Sequence, residues 1–116
     1  MTENISEAVF QILLSLADRP RHGLGIAGEV EERTGHRVRL GAGTLYTALG
    51  RMRDDGWIAE TAAPPGEEDR RRRFYAVTEA GRQVLGAEAR RMETLVRDAR
   101  GKAVLPGGRS SLPAGP

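Results

Sequence analysis

The stretch from Arg37 to Glu60 constrains the fold more than any other part of the sequence. Its apolar residues recur at i, i+4 and i+7 and so share one helical face: Leu45, Leu49 and Met52. Gly56 stands where helices commonly end, because glycine tolerates the left-handed conformation found there. We therefore predict a helix over residues 42–55, followed by a β-hairpin.

Arginine is concentrated around this predicted helix. Between Arg33 and Arg53 there are five arginines and no carboxylate. Almost all basic residues of the chain are arginine, so the positions of the charges are more informative than their number. A helix with an apolar back, uncompensated arginines beside it and a hairpin after it is what a winged helix presents to the DNA major groove. The pattern predicts that residues 42–55 are a recognition helix.

The predicted hairpin, or wing, spans residues 57–77. Its centre is broken by Pro64-Pro65-Gly66, and a polar tip follows with four consecutive arginines, Arg70–Arg73. Arginines at such a tip can reach DNA phosphates beside the minor groove. Glu67, Glu68 and Asp69 lie next to them, so the alternative is that the tip neutralises its own charge.

Two helices are predicted before the recognition helix. The first runs from about Ser6 to Ala17 with Asn4 or Ser6 as its cap, and it is apolar nearly all round because Phe10 and Leu14 add a second apolar face. Such a helix is either central to the core or part of a dimer interface. The second begins near His22-Gly23 and has four residues predicted to face inward: Leu24, Ile26, Ala27 and Val30.

A long helix is predicted from Glu79 to about Arg100, capped by Thr78. Its apolar residues are spaced as in a coiled-coil seam: Leu85, Ala89, Met92, Val96 and Ala99. We predict a dimer interface made by this seam and the first helix: Val9, Phe10, Leu13, Leu85, Ala89, Met92 and Val96. Residues 101–116 are rich in Gly, Pro and Ser, and we predict a disordered tail there.

The composition excludes several classes of function. The chain has 116 residues, no cysteine and two histidines, so thiolate metal ligands are absent and we expect no metal or other cofactor. No apolar run is long enough to span a bilayer, and we expect a cytoplasmic protein with no membrane partner. No arrangement of nucleophile and base, or of paired carboxylates, can be argued from spacing, so we do not expect an enzyme.

Four sequence motifs, in order, resemble the PadR family of bacterial transcriptional regulators. They are His22–Ala27 (HGLGIA), Gly43–Tyr46 (GTLY) with Leu49 and Gly56, the arginine run into Phe74-Tyr75, and Val77–Gly81 (VTEAG). The length is similar to the short form, which has a single C-terminal helix. The resemblance implies a homodimeric winged-helix repressor that binds a palindromic operator and often senses small molecules.

The sequence departs from the family pattern at two places. Thr47 and Gly50 stand where family members usually have basic residues. The last helix, residues 79–100, has no aromatic residue, whereas some drug-sensing relatives use aromatic residues there to hold planar compounds. Contacts at positions 47 and 50, and a drug pocket of that kind, are therefore in doubt.

The predicted fold is mainly α with a small β-hairpin: a winged helix-turn-helix domain over residues 1–78, a dimerisation helix over 79–100 and a tail over 101–116. The predicted partners are double-stranded DNA, a second copy of the chain and an effector of unknown identity. The predicted DNA-binding residues are Arg37, Arg39, Thr44, Tyr46, Thr47, Arg51, Arg70, Arg71, Arg72 and Arg73. Tyr46 could instead pack on the second helix, and Arg51 could pair with Asp54 or Asp55. The rival function is a winged helix that binds proteins and uses its arginines only for solubility.

Overall fold

A computed structural model describes residues 5–107 of the chain. The elements in order are α1 (Glu7–Ser15), β1 (Arg21–His22), α2 (Gly23–Arg33), α3 (Ala42–Asp54), β2 (Ile58–Thr61), β3 (Phe74–Val77) and α4 (Glu79–Gly101). The described chain divides into two compact units between Leu85 and Gly86. The first unit has the helices and antiparallel hairpin of a winged helix-turn-helix, which confirms the predicted fold class.

Helix α1 begins as its sequence predicts. The Ser6 hydroxyl accepts a hydrogen bond from the Val9 N–H at 3.2 Å, so Ser6 is the cap, while Asn4 lies outside the described residues. Phe10 is partly buried against the core, as is the other residue of the second apolar face. Leu13 has no exposed surface in the single chain. It is therefore a core residue, and its predicted place in a dimer interface is corrected.

Helix α2 begins at a histidine cap. The His22 Nδ1 atom accepts a hydrogen bond from the Gly25 N–H at 3.0 Å. Ile26 and Val30 are fully buried one turn apart, but Leu24 is 59% exposed. The prediction that Leu24 faces inward is wrong, because a residue two positions before Ile26 lies on nearly the opposite side of a helix.

Helix α3 agrees closely with the prediction for residues 42–55. Its predicted apolar face is buried in the core: Leu45, Leu49 and Met52. Gly41 is the N-cap residue, and the helix ends at Asp55 and Gly56, where Gly56 adopts a φ of +80°. The Trp57 N–H then donates to the Met52 carbonyl at 2.9 Å, the closing bond of a Schellman motif.

The sheet has three antiparallel strands in the order β1-β3-β2. The hairpin pairs Ile58 with Val77 and Glu60 with Tyr75. The short strand β1 was not predicted; it pairs Arg21 with Tyr75 on the other side of β3. Strand β3 is therefore central, and the wing is tied to the linker between α1 and α2.

Thr78 joins the end of α3, the base of the hairpin and the start of α4. Its hydroxyl donates to the Gly56 carbonyl at 2.6 Å and accepts from the Gly81 N–H at 3.1 Å. Its N–H donates to the Trp57 carbonyl at 3.0 Å. Helix α4 thus begins at the predicted cap.

The core of the first unit is apolar and draws on every helix and on β2 and β3. Its buried members are Ile12, Leu13, Leu16, Ile26, Val30, Leu45, Leu49, Met52, Ile58, Phe74, Tyr75 and Leu85. None of the helices between residues 5 and 107 combines the length and apolar content that crossing a bilayer requires.

The second unit contains the rest of α4. Leu95 is 52% and Val96 38% exposed. Glu88 pairs with Arg91 at 2.6 Å, and this guanidinium lowers the pKa of the Glu88 carboxyl. After Gly101 the Val104 N–H returns to the Ala99 carbonyl at 2.8 Å and closes the helix. Residues 108–116 of the predicted tail lie outside the described residues.

Candidate nucleic-acid interface

The outermost line of α3 consists of small residues. The 3.6-residue period places Gly43, Thr47 and Gly50 opposite the buried face. A Cβ atom at Gly43 or Gly50 would meet nothing within 4 Å, so open space lies outside both positions. The backbone of α3 can therefore approach another molecule closely, with Thr47 as the polar side chain on this line.

Thr44 and Arg51 lie to one side of this line. With Thr47 they form part of a groove of about 630 Å³ whose opposite wall is the start of α1, including Ser6 and Val9. Among residues 5–107 Arg51 forms no ion pair, so the alternative pairing with Asp54 or Asp55 does not occur in this structure. A hydroxyl-rich helix start and an unpaired guanidinium thus share one exposed edge.

Tyr46 lies on the other side of the line. Its ring covers Gly23 at the start of α2, where an added Cβ would stand 2.8 Å from the Tyr46 Cζ atom. The side chain is nevertheless 51% exposed. Packing on α2 and availability to DNA are therefore compatible, and packing fixes where the hydroxyl is presented.

The loop before α3 carries two of the predicted arginines. Arg37 is exposed and forms no ion pair in the described part of the chain. Arg39 lies beside Glu31, with 3.8 Å between Nε and the carboxylate oxygen, and His36 contacts the same carboxylate at 2.7 Å. Glu31 thus offsets part of the positive charge on this side of α3.

The wing tip neutralises itself only in part. Arg72 pairs with Asp69 at 2.6 Å, and this guanidinium holds the pKa of the Asp69 carboxyl below its usual value. Arg70 donates to the Pro64 carbonyl at 3.2 Å. Within residues 5–107, Arg71 and Arg73 have no hydrogen-bonding or ionic partner. Two of the four wing arginines therefore keep their full charge available.

All ten predicted DNA-binding residues are exposed, on α3, on the loop before it and on the wing tip. Their contacts with DNA stay a prediction. Nowhere in the described chain do three or more potential ligands from His, Cys, Asp and Glu gather as a metal site would need. The site therefore offers hydroxyls, guanidiniums and an accessible helix backbone, which suit a nucleic-acid surface.

Comparison with known proteins identifies the family. Residues 12–87 match the transcriptional regulator PadR-like family. The chain is 36% identical over 91 residues to the transcriptional regulator Rv3488 of Mycobacterium tuberculosis (strain ATCC 25618 / H37Rv), covering 78% of this chain and 79% of that protein. It is 40% identical over 90 residues to a 37.1 kDa protein in transposon TN4556 of Streptomyces fradiae, covering 78% of this chain but only 24% of that protein.

Solved structures share the fold. A PadR family transcription regulator from hypervirulent Clostridium difficile R20291 gives a TM-score of 0.71 at 23% identity, covering 84% of this chain and 99% of that chain. Bacillus subtilis PadR in complex with operator DNA gives a TM-score of 0.57 at 23% identity, covering 68% of this chain and 44% of that chain. With the family match over most of the winged helix, these findings give a conclusion about the molecule: the chain belongs to the PadR-like family of transcriptional regulators, which are DNA-binding proteins and not enzymes.

Proposed function

We propose that the protein is a homodimeric repressor that binds a palindromic operator and blocks transcription by occupying it. Helix α3 enters the major groove, and the wing over residues 57–77 follows the DNA backbone. The observation that carries the proposal is the open outer line of α3, Gly43–Thr47–Gly50, flanked by an unpaired Arg51 and by the wing. Such a face suits close insertion into a groove better than it suits a solvated helix surface.

The proposal assigns different tasks to different side chains. Thr44 and Thr47 lie near the start of α3, where hydroxyls can contact base edges and helix N–H groups attract phosphate. Arg71 and Arg73 on the wing contact phosphates, where charge matters and base identity does not. We assign Arg37 and Arg39 the same backbone role in the loop before α3.

Dimerisation would give the two copies of α3 the symmetry of a palindrome. The apolar seam of α4 supports it, since Val96 is 38% exposed and the adjacent Leu95 52%. Val9 and Phe10 on α1 are also only partly buried in the single chain. We propose residues 79–100 as the dimerisation helix, residues 1–78 as the DNA-binding domain and the cytoplasm as the place of action.

The test begins with selection of bound sequences from random duplex DNA, which should return a palindrome. Thr47→Ala should then weaken the selected operator more than random DNA, by about 1–3 kcal/mol if Thr47 contacts a base. Arg71→Ala should weaken both DNAs alike and lower the slope of log K against log salt by about 0.9. Equal losses on both DNAs for Thr47→Ala would contradict the proposed orientation of α3.

Two other readings predict different results. A protein-binding winged helix should show absent or salt-insensitive duplex binding, whereas phosphate contacts make binding fall steeply with salt. Release of the operator by a small-molecule effector would appear as a ligand-dependent rise in melting temperature together with loss of operator binding. The groove between α1 and α3 supports this second reading, because a compound there would lie against Thr44, Thr47 and Arg51.

A further inference from the structure

A second cavity lies where the start of α2, the exposed side of α3 and the wing meet. Its volume is about 290 Å³, and its lining residues are His22, Gly23, Tyr46, Arg72, Arg73 and Tyr75. The lining includes two guanidiniums, two phenol hydroxyls and an imidazole, and no carboxylate. This chemistry suits an anion.

Tyr75 is the most informative member of the lining. It occupies the central strand β3 and is only 5% exposed. No hydrogen bond of its hydroxyl occurs within residues 5–107, yet that part of the chain has no buried side-chain oxygen or nitrogen without a partner. The hydroxyl must therefore reach the surface at the cavity wall. A tyrosine buried in a core normally directs its polar end to a partner, and here the partner is missing.

The charges around the cavity strengthen this reading. Arg73 has no carboxylate partner in the described chain, whereas Arg72 shares its charge with Asp69 at 2.6 Å. Gly23 begins α2, an 11-residue helix, and helix starts carry partial positive charge and free N–H groups. The absence of a side chain at Gly23 leaves room for the Tyr46 ring, because an added Cβ would collide with it.

We propose that this cavity binds one phosphate group, held by hydrogen bonds from Tyr75 and Tyr46 and by the charge of Arg73. The inference rests on the proposed DNA binding for its main source of phosphate, a backbone phosphate between the groove entered by α3 and the wing. Free inorganic phosphate is the other source with the same chemistry. Tyr75 becomes a further contact residue in either case.

The first experiment compares Tyr75→Phe with the unchanged protein on operator and random duplexes at two salt concentrations. Loss of one hydrogen bond to a charged group should weaken both DNAs about 10-fold. The melting temperature should stay within about 2 °C, because the hydroxyl has no partner inside the chain and the ring is kept. Arg97→Ala, which removes a charge from α4, is the matched control and should leave binding unchanged.

A double-mutant cycle separates a shared phosphate from two independent contacts. If Tyr75 and Arg73 hold the same phosphate, the losses for Tyr75→Phe and Arg73→Ala should be clearly less than additive in the double variant. Full additivity would show that the two side chains contact different groups and would overturn the shared site.

A titration with inorganic phosphate, followed by NMR of the tyrosine ring signals, identifies the source. Saturable shifts that disappear in Tyr75→Phe show that a free anion enters the cavity. Duplex binding by the unchanged protein with no loss in Tyr75→Phe, and no saturable phosphate shifts, would overturn the inference while leaving the proposed function intact. No duplex binding by the unchanged protein would instead refute the proposed function, and the phosphate titration alone would then decide for or against the cavity.

Discussion

Gly81→Ala should destabilise the protein although it replaces a glycine inside a helix with the best helix former. Gly81 lies in the first turn of α4 against the base of the hairpin. A Cβ atom there would collide with the Trp57 carbonyl and would lie 2.8 Å from the Val77 Cγ2 atom. The carbonyl is backbone and already accepts the Thr78 N–H at 3.0 Å, so it cannot move without weakening that bond.

The magnitude follows from three opposing effects. Overpacking of a tight contact costs about 1–3 kcal/mol, and a weakened hydrogen bond adds about 1 kcal/mol. The change from glycine to alanine returns about 1 kcal/mol of helix propensity. We expect a net loss of about 2 kcal/mol in the free energy of unfolding, which is roughly a 10 °C fall in melting temperature for a unit of this size.

Gly50→Ala is the matched control. Gly50 is also a helical glycine, but an added Cβ there would meet nothing within 4 Å. Only the propensity gain remains, so its free energy of unfolding should rise by about 1 kcal/mol. Thermal and urea unfolding at one fixed protein concentration would measure both variants, since dimerisation makes stability depend on concentration. An unchanged or higher melting temperature for Gly81→Ala would refute the steric reasoning.

Three further predictions concern assembly, the tail and the wing. Met92→Glu should lower the molar mass measured by light scattering at micromolar protein, because it places a charge in the proposed seam; a dimer mass unchanged on dilution would contradict that seam. Deletion of residues 108–116, which are rich in Gly, Ser and Pro, should leave the melting temperature within about 2 °C, and a larger fall would show that this segment docks. Asp69→Asn should release Arg72 and tighten duplex binding with a steeper salt dependence. Because the pKa of Asp69 is lowered, the pair persists at neutral pH and is lost only as the pH falls through that lowered pKa; weaker binding by the variant would mean that Asp69 positions Arg72 on DNA.

The helix boundaries could be predicted because their signals are local. Ser6 and Thr78 cap the helices that follow them, and Gly56 ends α3 with a positive φ. Each of these signals depends on a few neighbouring residues and on backbone geometry, so no tertiary information is needed. The buried face of α3 could be predicted for the same reason, since its apolar spacing is that of a helix.

Other features depend on contacts between distant parts of the chain. Strand β1 has two residues, too few for a periodic pattern, and it exists because β3 offers it an edge. The pairing of Arg72 with Asp69, and not with another acid of the tip, depends on how the loop turns. Tyr75 has the sequence signature of an ordinary strand residue, and only its missing hydrogen-bond partner distinguishes it.

The pinned base of the hairpin has a consequence for how this interface can change in evolution. Thr78 fixes Gly56 and Trp57 from one side, so the positions of α3 and α4 do not depend on what lies between β2 and β3. Residues 62–73 form that connection, and each doubling of a flexible loop costs only about 0.6 kcal/mol. Insertions and deletions there can change how far the wing extends along DNA, and hence the footprint length, while the spacing and angle of the recognition helix are inherited unchanged.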